Sequence, residues 1–472
     1  MEGSAGLNLF FEIATLFFAS YFMLANGIFF SLLLVSFFSV RKVVRSNPMV
    51  ESLKDRYTLI APAVSIIAPA FNEEKTVVES IHSFLRLDYP SFEILLINDG
   101  SKDRTLAQLQ ESFDLTPAER FYDARLSSSK VRGFYKSKSY PNLFVVDKEN
   151  GGKADAINVG LGFASNTLFC AVDSDSILEP DCLLRVVVPF IEEPETTIAA
   201  GGTVRPVNGC VIEQGRVSEL RFPRGILGKI QIVEYLRAFL FGRQGWNAWN
   251  STLIISGAFG IFKRDIVIEA GGYRRDSIGE DMELVVRLRR YAVENGLPYR
   301  ISFVPDPICW TEVPETIAGL AQQRDRWQRG LADSLFSHMR MFMNPRYGAA
   351  GMVAFPYFFL VELFGPVIET AAYLFIGIGL FTGKIDQSIL LLFVLVDIVF
   401  GIFMSFGAVF IEESAFHKYT KLRHLLGLVV LSFVEQLGFR QLLTLLRLRG
   451  LINYFLGRKQ WGEMSRTGFD AR

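Results

Sequence analysis

A short apolar run, Phe169-Cys170-Ala171-Val172-Asp173-Ser174-Asp175-Ser176, ends in two aspartates one residue apart. Alternate side chains of an extended chain point the same way, so Asp173 and Asp175 can face one pocket at the carboxyl end of a strand. Carboxylate oxygens suit a hard divalent cation, Mg²⁺ or Mn²⁺, which completes its shell with water and a substrate's phosphates. A solvated turn is the plain alternative, so the reading rests on what lies nearby. A second acidic pair, Glu280-Asp281, opens the helical stretch Met282 to Ala292, where the helix dipole favours negative charge. A carboxylate there can serve as a general base toward a substrate hydroxyl, or simply cap the helix. Gln323, Arg326 and Trp327 stand at i, i+3 and i+4 and share one helical face. An amide, a guanidinium and an indole on one face suit a sugar ring, and they also suit a helix lying on a membrane surface. None of the histidines, His82, His338, His417 and His424, lies beside a nucleophile motif, so covalent acyl-transfer chemistry has no candidate.

Elements that can position these groups follow from the pattern around them. Val64–Ala68, Glu93–Ile97, Leu143–Val146 and Leu168–Val172 read as buried strands, with helices over 74–86, 103–112 and 153–164 between them. Strands alternating with helices predict a parallel, doubly wound sheet with ligands at the strands' carboxyl ends. Asn72 and Glu73 follow the first strand, Asp99 the second, Asp147 the third, and Asp173 and Asp175 the fourth. Residues 195–315 are more irregular and rich in Gly, Trp and Pro, including Ser256-Gly257-Ala258-Phe259-Gly260 and Gly271-Gly272-Tyr273. Such turns let backbone approach a ligand, although tight turns alone explain many of them.

Half of the 472 residues are hydrophobic, and the apolar residues concentrate at the two ends of the chain. Lys+Arg and Asp+Glu both total 49, so the charge balance gives no case for nucleic acid as a partner. Residues 9–39 carry little charge beyond Glu12 and can cross a bilayer; Arg41, Lys42 and Arg45 follow, which predicts an outside amino terminus and a cytoplasmic continuation. Pro366–Phe381 and Ile389–Ile411 read as a hairpin of two further spans. Residues 425–456 read as re-entrant or interfacial, because Glu435, Gln436, Arg440 and Gln441 would be costly facing lipid. Cys170, Cys182, Cys210 and Cys309 lack metal-ligand spacing and are expected to be reduced and buried.

Six motifs in order, Pro69-Ala70-Phe71-Asn72-Glu73, Asn98-Asp99-Gly100-Ser101, Asn150-Gly151-Gly152-Lys153-Ala154, Asp173-Ser174-Asp175, Gly279-Glu280-Asp281 and Gln323-Arg324-Asp325-Arg326-Trp327, together resemble a known group. The chain is similar to the membrane-embedded inverting glycosyltransferases of family 2, which include the cellulose, hyaluronan, chitin and poly-N-acetylglucosamine synthases. The resemblance implies an α/β GT-A (Rossmann-like) cytoplasmic domain over residues 46–315 plus an α-helical transmembrane region. Around that domain it implies an anchor over 1–45, interfacial amphipathic helices over 316–350, transmembrane or interfacial helices over 351–456 and a cytoplasmic tail over 457–472. It implies metal-dependent, processive transfer from a UDP-sugar of the glucose or N-acetylglucosamine type to a growing polysaccharide at the plasma (inner) membrane. Carried over by position, Asn72, Glu73, Asp99 and Lys153 would bind the nucleotide, while Asp173 and Asp175 hold the diphosphate and its Mg²⁺ or Mn²⁺. Asp281 would be the base, with Glu280 beside it; Gln323 and Trp327 would meet the acceptor, with Arg326 near the diphosphate. Trp461 and Arg466 are similar to a tail motif that closes over the nucleotide, although here the spacing departs from that motif. Gly279 also departs, since the family often has Thr before Glu-Asp. Transfer of one sugar to a lipid carrier, or a degenerate transferase serving as receptor or scaffold, are the other readings. With so few spans, a polymer channel formed by one chain and a pore completed by a second copy or an accessory protein are both open readings.

Overall fold

The computed structural model describes residues 2–46, 54, 56–385, 387–419 and 421–458. Trp461 and Arg466 lie outside the described residues. At the centre are the four expected strands: β1 (Val64–Ala70), β2 (Phe92–Asn98), β5 (Leu143–Lys148) and β6 (Leu168–Val172), with β3 (Leu115–Pro117) and β4 (Val131–Ser137) between β2 and β5 in the chain. The four lie parallel in the spatial order β5-β2-β1-β6, and Val64 stands opposite both Phe92 and Leu168. Both faces of this centre are covered, which is why its strands read as continuous apolar runs. Ile94 and Leu96 join Ile66 and Ala68 in one core, whereas Leu95 and Ile97 join Ile67 in the other. Burying each such isoleucine or leucine side chain contributes about 1.5–3 kcal/mol. The helices Val77–Leu85, Thr105–Phe113 and Lys153–Phe163 connect these strands, close to the expected bounds.

The sheet is wider than the purely parallel expectation and is mixed. β7 (Ile177–Leu178), β8 (Thr197–Pro206), β11 (Phe259–Lys263) and β12 (Arg300–Thr311) extend it to ten strands in the order β3-β4-β5-β2-β1-β6-β11-β8-β12-β7. β9 (Val211–Glu213) and β10 (Arg216–Glu219) form a separate hairpin. The segment that reads as irregular therefore supplies strands to the same sheet. Its strand character is hidden because β8 uses small residues where larger neighbours press in. A methyl at Gly201 would lie 2.8 Å from Ile255, and one at Gly202 would lie 2.1 Å from Ile308. β11 runs antiparallel between β6 and β8, which brings the Ser256-Gly257-Ala258 turn to the carboxyl end of β6. All four cysteines are free; Cys170, Cys182 and Cys309 are buried, whereas Cys210, beside the β9–β10 hairpin, is partly exposed, unlike the expectation.

Among the described residues three helices are long and apolar enough to cross a bilayer: Leu9–Val43, Leu390–Ala415 and Leu422–Phe455. A fourth candidate is the bent pair Ala350–Leu363 and Gly365–Phe381, which meets at 47° just before Pro366. Within Leu422–Phe455 the helix breaks at Leu437 and Gly438, and Gly438 takes φ 94°, a conformation that suits glycine. The polar residues of that segment turn inward. Glu435 pairs with Arg237 at 2.7 Å and accepts from Ser405 at 2.7 Å, while Arg440 lies 3.4 Å from Asp397. One further ion pair, Arg205 of β8 with Glu412, is buried at both ends and joins the sheet to the helix Leu390–Ala415.

Candidate active site

Each of the first motifs occupies the carboxyl end of its strand. Asn72 follows β1 with φ 58° and accepts a hydrogen bond from the Lys102 backbone N–H at 2.8 Å, so its side chain ties the two loops together. Glu73 is buried, accepting from Thr76 Oγ1 at 2.7 Å, and its backbone N–H donates to Thr105 at 2.9 Å. Asp99 is buried at the end of β2, where its carboxylate accepts from Gly151 N–H at 2.9 Å, Gly152 N–H at 2.8 Å and Asn150 Nδ2 at 3.1 Å, and pairs with Lys148. Those four partners match the capacity of an ionised carboxylate. In this arrangement Asp99 fixes the Gly151-Gly152 turn and the start of the helix Lys153–Phe163. Lys148 also pairs with Asp155 at 2.7 Å, and neither side chain is exposed.

Asp173, Asp175, Lys153, Glu280 and Asp281 are brought together by β6, the Lys153–Phe163 helix and the first turn of the helix Glu280–Glu294. Lys153 Nζ lies 2.5 Å from Asp173 Oδ1, 3.4 Å from Glu280 Oε1 and 3.2 Å from the Gly257 carbonyl, to which it donates. Burial alone would drive the Lys153 ammonium to lose its proton, but Asp173, Glu280 and Asp281 outweigh it and hold the pKa above the usual lysine value. Burial pushes the Glu280 carboxyl upward; Lys153 opposes that shift and Asp281 adds to it. Asp281 Oδ2 accepts from Gly257 N–H at 2.9 Å, and Oδ1 accepts from Met282 N–H at 2.8 Å. Gly279, just before the pair, faces Gly330 of the helix Ile317–Ser337, and a methyl on Gly279 would lie 2.8 Å from Gly330 Cα. That close approach accounts for glycine at this position.

The helix Ile317–Ser337 carries the third group along the same wall. Gln323 is buried, Arg326 lies on the same face, and Trp327 is 43% exposed. Arg324, one turn face away, forms a bidentate pair with Glu234 at 2.6 and 2.8 Å and sets its guanidinium 4.4 Å from the Trp327 ring. One cavity of about 1330 Å³ is lined by Glu73, Asp99, Lys153, Asp173, Asp175, Glu280, Asp281, Gln323, Arg326 and Trp327, whereas Asn72 lies outside its wall.

The cavity continues to Asn26, Glu362, Glu369, Arg440, Thr444 and Arg447 of the apolar helices. There Arg447 pairs with Glu362 at 2.9 Å and Thr444 donates to Glu369 at 2.5 Å. Charge inside an apolar segment already pointed to Arg440, whereas Arg447 had not been singled out for the cavity. Arg243 had no such signal: it ends a π-helical stretch, Arg237–Arg243, lines the cavity, and rests its guanidinium 3.8 Å from the Phe239 ring. Burial lowers its pKa to about 10, against the pull of Asp281 and Tyr235.

Among the described residues no three His, Cys, Asp or Glu side chains form a metal cage. Two carboxylates that leave most of the shell to water and phosphate are, however, the usual protein share for Mg²⁺. Asp173 already holds a cation, the Lys153 ammonium, so the donor set fits.

The chain matches the family described as Glycosyl transferase family 2 over residues 65–269 and Glycosyl transferase family group 2 over residues 168–405. It is 30% identical over 267 residues to the poly-beta-1,6-N-acetyl-D-glucosamine synthase of Staphylococcus epidermidis, covering 57% of this chain and 54% of that protein. With the enzyme of the same description from Staphylococcus aureus strain COL it shares 29% identity over 289 residues, covering 60% and 59%. The matched stretch spans little more than half the length of these relatives. The mannosyltransferase PcManGT from Pyrobaculum calidifontis, solved in complex with GDP-Man and Mn2+, is 17% identical with a TM-score of 0.49, covering 90% of this chain and 99% of that one, a likeness too distant to bear on donor or cation. With the second family match taking in about half of the chain, from β6 through the site to the apolar helices, the chain belongs to glycosyl transferase family 2.

Proposed function

We propose that this chain transfers a sugar of the N-acetylglucosamine or glucose class from a UDP-sugar to the growing end of a β-linked polysaccharide, with inversion at the anomeric carbon. The observation that carries this reading is the single cavity lined by the Asp173 and Asp175 carboxylates, by Asp281 and Trp327, and by polar groups of the apolar helices. A donor, an acceptor hydroxyl and a hydrophilic product all have matching chemistry along it. The relatives' description as poly-beta-1,6-N-acetyl-D-glucosamine synthases favours N-acetylglucosamine as the sugar.

In this reading Asp281 takes the proton of the acceptor hydroxyl. Its Oδ2 is oriented by Gly257 N–H and its Oδ1 by Met282 N–H, and each oxygen keeps a second lone pair for that proton. Attack on the anomeric carbon then displaces UDP in one step, with no covalent intermediate, so an α-linked donor gives a β-linked product. Asp173 and Asp175 would hold a divalent cation that neutralises charge on the leaving diphosphate. Trp327 offers its indole face to the terminal sugar, and Arg324, braced by Glu234, keeps the ring in place. Gln323 is buried beside it as a hydrogen-bonding group for the sugar's hydroxyls. The glycan leaves past Glu369, Thr444 and Arg447 through the membrane, with the sheet on the cytoplasmic side as Arg41 and Lys42 after the first apolar helix suggest.

The test is UDP release by the purified chain with a panel of UDP-sugars and Mn²⁺ or Mg²⁺, beside Asp281→Asn. One donor should be turned over by the wild type and scarcely at all by the variant. Equal turnover by Asp281→Asn would remove Asp281 as the base, and no turnover with any donor or cation would remove the transferase reading of this chain.

A further inference from the structure

We propose that Lys153 is the resident counter-cation of the donor site, competing with the divalent cation for Asp173 and thereby making cation binding depend on the nucleotide diphosphate. This inference rests on the reading of Asp173 and Asp175 as the cation's ligands. Lys153 is the first residue of the helix Lys153–Phe163, where the positive end of the dipole disfavours a cation. Its position is therefore locally unfavourable and is held by what it touches. Nζ sits 2.5 Å from Asp173 and 3.4 Å from Glu280, and donates to the Gly257 carbonyl at 3.2 Å. The backbone N–H groups of Gly151 and Gly152, which could otherwise receive an anion at this helix start, are directed to Asp99.

A divalent ion and an ammonium repel one another strongly when they share a carboxylate in a partly dehydrated pocket. In the chain without nucleotide, a cation arriving at Asp173 must displace Lys153. A diphosphate supplies the negative charge that lets both cations stay, so each ligand raises the affinity of the other, as reciprocal coupling requires. The Lys153 side chain is 21% exposed and the Asp173 side chain 30%, so water can replace the broken contact.

The experiment is a Mn²⁺ titration of the purified full chain by electron paramagnetic resonance, with and without UDP, for wild type, Lys153→Met and Lys153→Arg. Wild type should bind Mn²⁺ weakly alone and more tightly with UDP. Lys153→Met should bind Mn²⁺ alone on the order of tenfold more tightly than wild type, within the usual range of ligand coupling, and UDP should add correspondingly less. Lys153→Arg keeps the positive charge and should resemble wild type. A gain in affinity cannot come from misfolding. If wild type shows the UDP-dependent binding but Lys153→Met binds Mn²⁺ alone no better, the competition is wrong and the Asp173–Asp175 assignment stands. If wild type binds no Mn²⁺ even with UDP, that assignment and the competition fall together.

Discussion

The two ends of the cavity are built in opposite ways. At the sheet end, each functional group lies within a few residues of the strand that presents it, and its partners come from neighbouring strand ends. Asp99 holds the Asn150-Gly151-Gly152 turn, and Asp173 follows β6 and meets Lys153. At the membrane end, the polar groups sit in the middle of apolar helices and are matched by residues from distant helices. Arg447 meets Glu362, Arg440 meets Asp397, and Glu435 meets Arg237. Strand ends expose ligands to a pocket as a consequence of topology. A charge inside an apolar helix is retained only where a partner faces it.

The sharpest way to break this contrast is at the sheet end. Asp281→Asn keeps the shape of the side chain and removes its basicity, so UDP release should fall by about 10²–10⁴-fold, the usual worth of a positioned acid or base, with the fold intact by thermal unfolding. The junction between the two ends comes next. Arg205→Ala would leave Glu412 buried without its partner, and the thermal midpoint in detergent should report a loss of about 3–5 kcal/mol. Replacing both residues with apolar ones of similar volume should recover most of that loss. A full loss in the double variant would mean that the pair does more than satisfy its own charges.

The strands around Asp99 and Asp173 were legible because a doubly buried strand is a continuous apolar run followed by a polar turn. β8 was not legible, since Ala199-Ala200-Gly201-Gly202 looks like a loop until Ile255 and Ile308 are seen pressing against it. Glu280 and Asp281 stood out by type, but the role of Gly279 needed Gly330, fifty-one residues along the sequence, to be seen against it. Glu435 and Arg440 could be flagged as costly in lipid, while their partners could not be named, because helix packing brings together residues with no common local pattern. Arg243 gave no signal at all, since the π-helical stretch that it ends has no sequence signature.

Smaller effects sharpen the same comparison. Gly279→Ala places a methyl against the Gly330 backbone and should destabilise by about 1–3 kcal/mol, with turnover falling as the Glu280–Glu294 helix is pushed from the Ile317–Ser337 helix. Thermal unfolding and UDP release on one preparation check both. At the membrane end, Glu369→Gln and Arg447→Met should leave UDP release in the first turnover close to wild type and shorten the product, read by gel filtration of labelled glycan. The smallest effect concerns pH. Burial favours a protonated Glu283, but His338 Nε2 at 3.3 Å and Arg287 Nε at 2.8 Å hold its pKa down to about 2. A lowered carboxylate pKa gives stability that is present above the ordinary value near 4.5 and is lost as pH falls toward 2. Glu283→Gln should flatten that part of the stability profile in acid unfolding.

The measurement that bears most directly on one cavity serving both transfer and passage is product length. Purified chain in proteoliposomes, given Mn²⁺ and labelled UDP-N-acetylglucosamine, should release UDP and build a long glycan, while Asp281→Asn builds none. A product that stops after one sugar on a lipid, with UDP release unimpaired, would contradict the account and leave the membrane end of the cavity with another purpose.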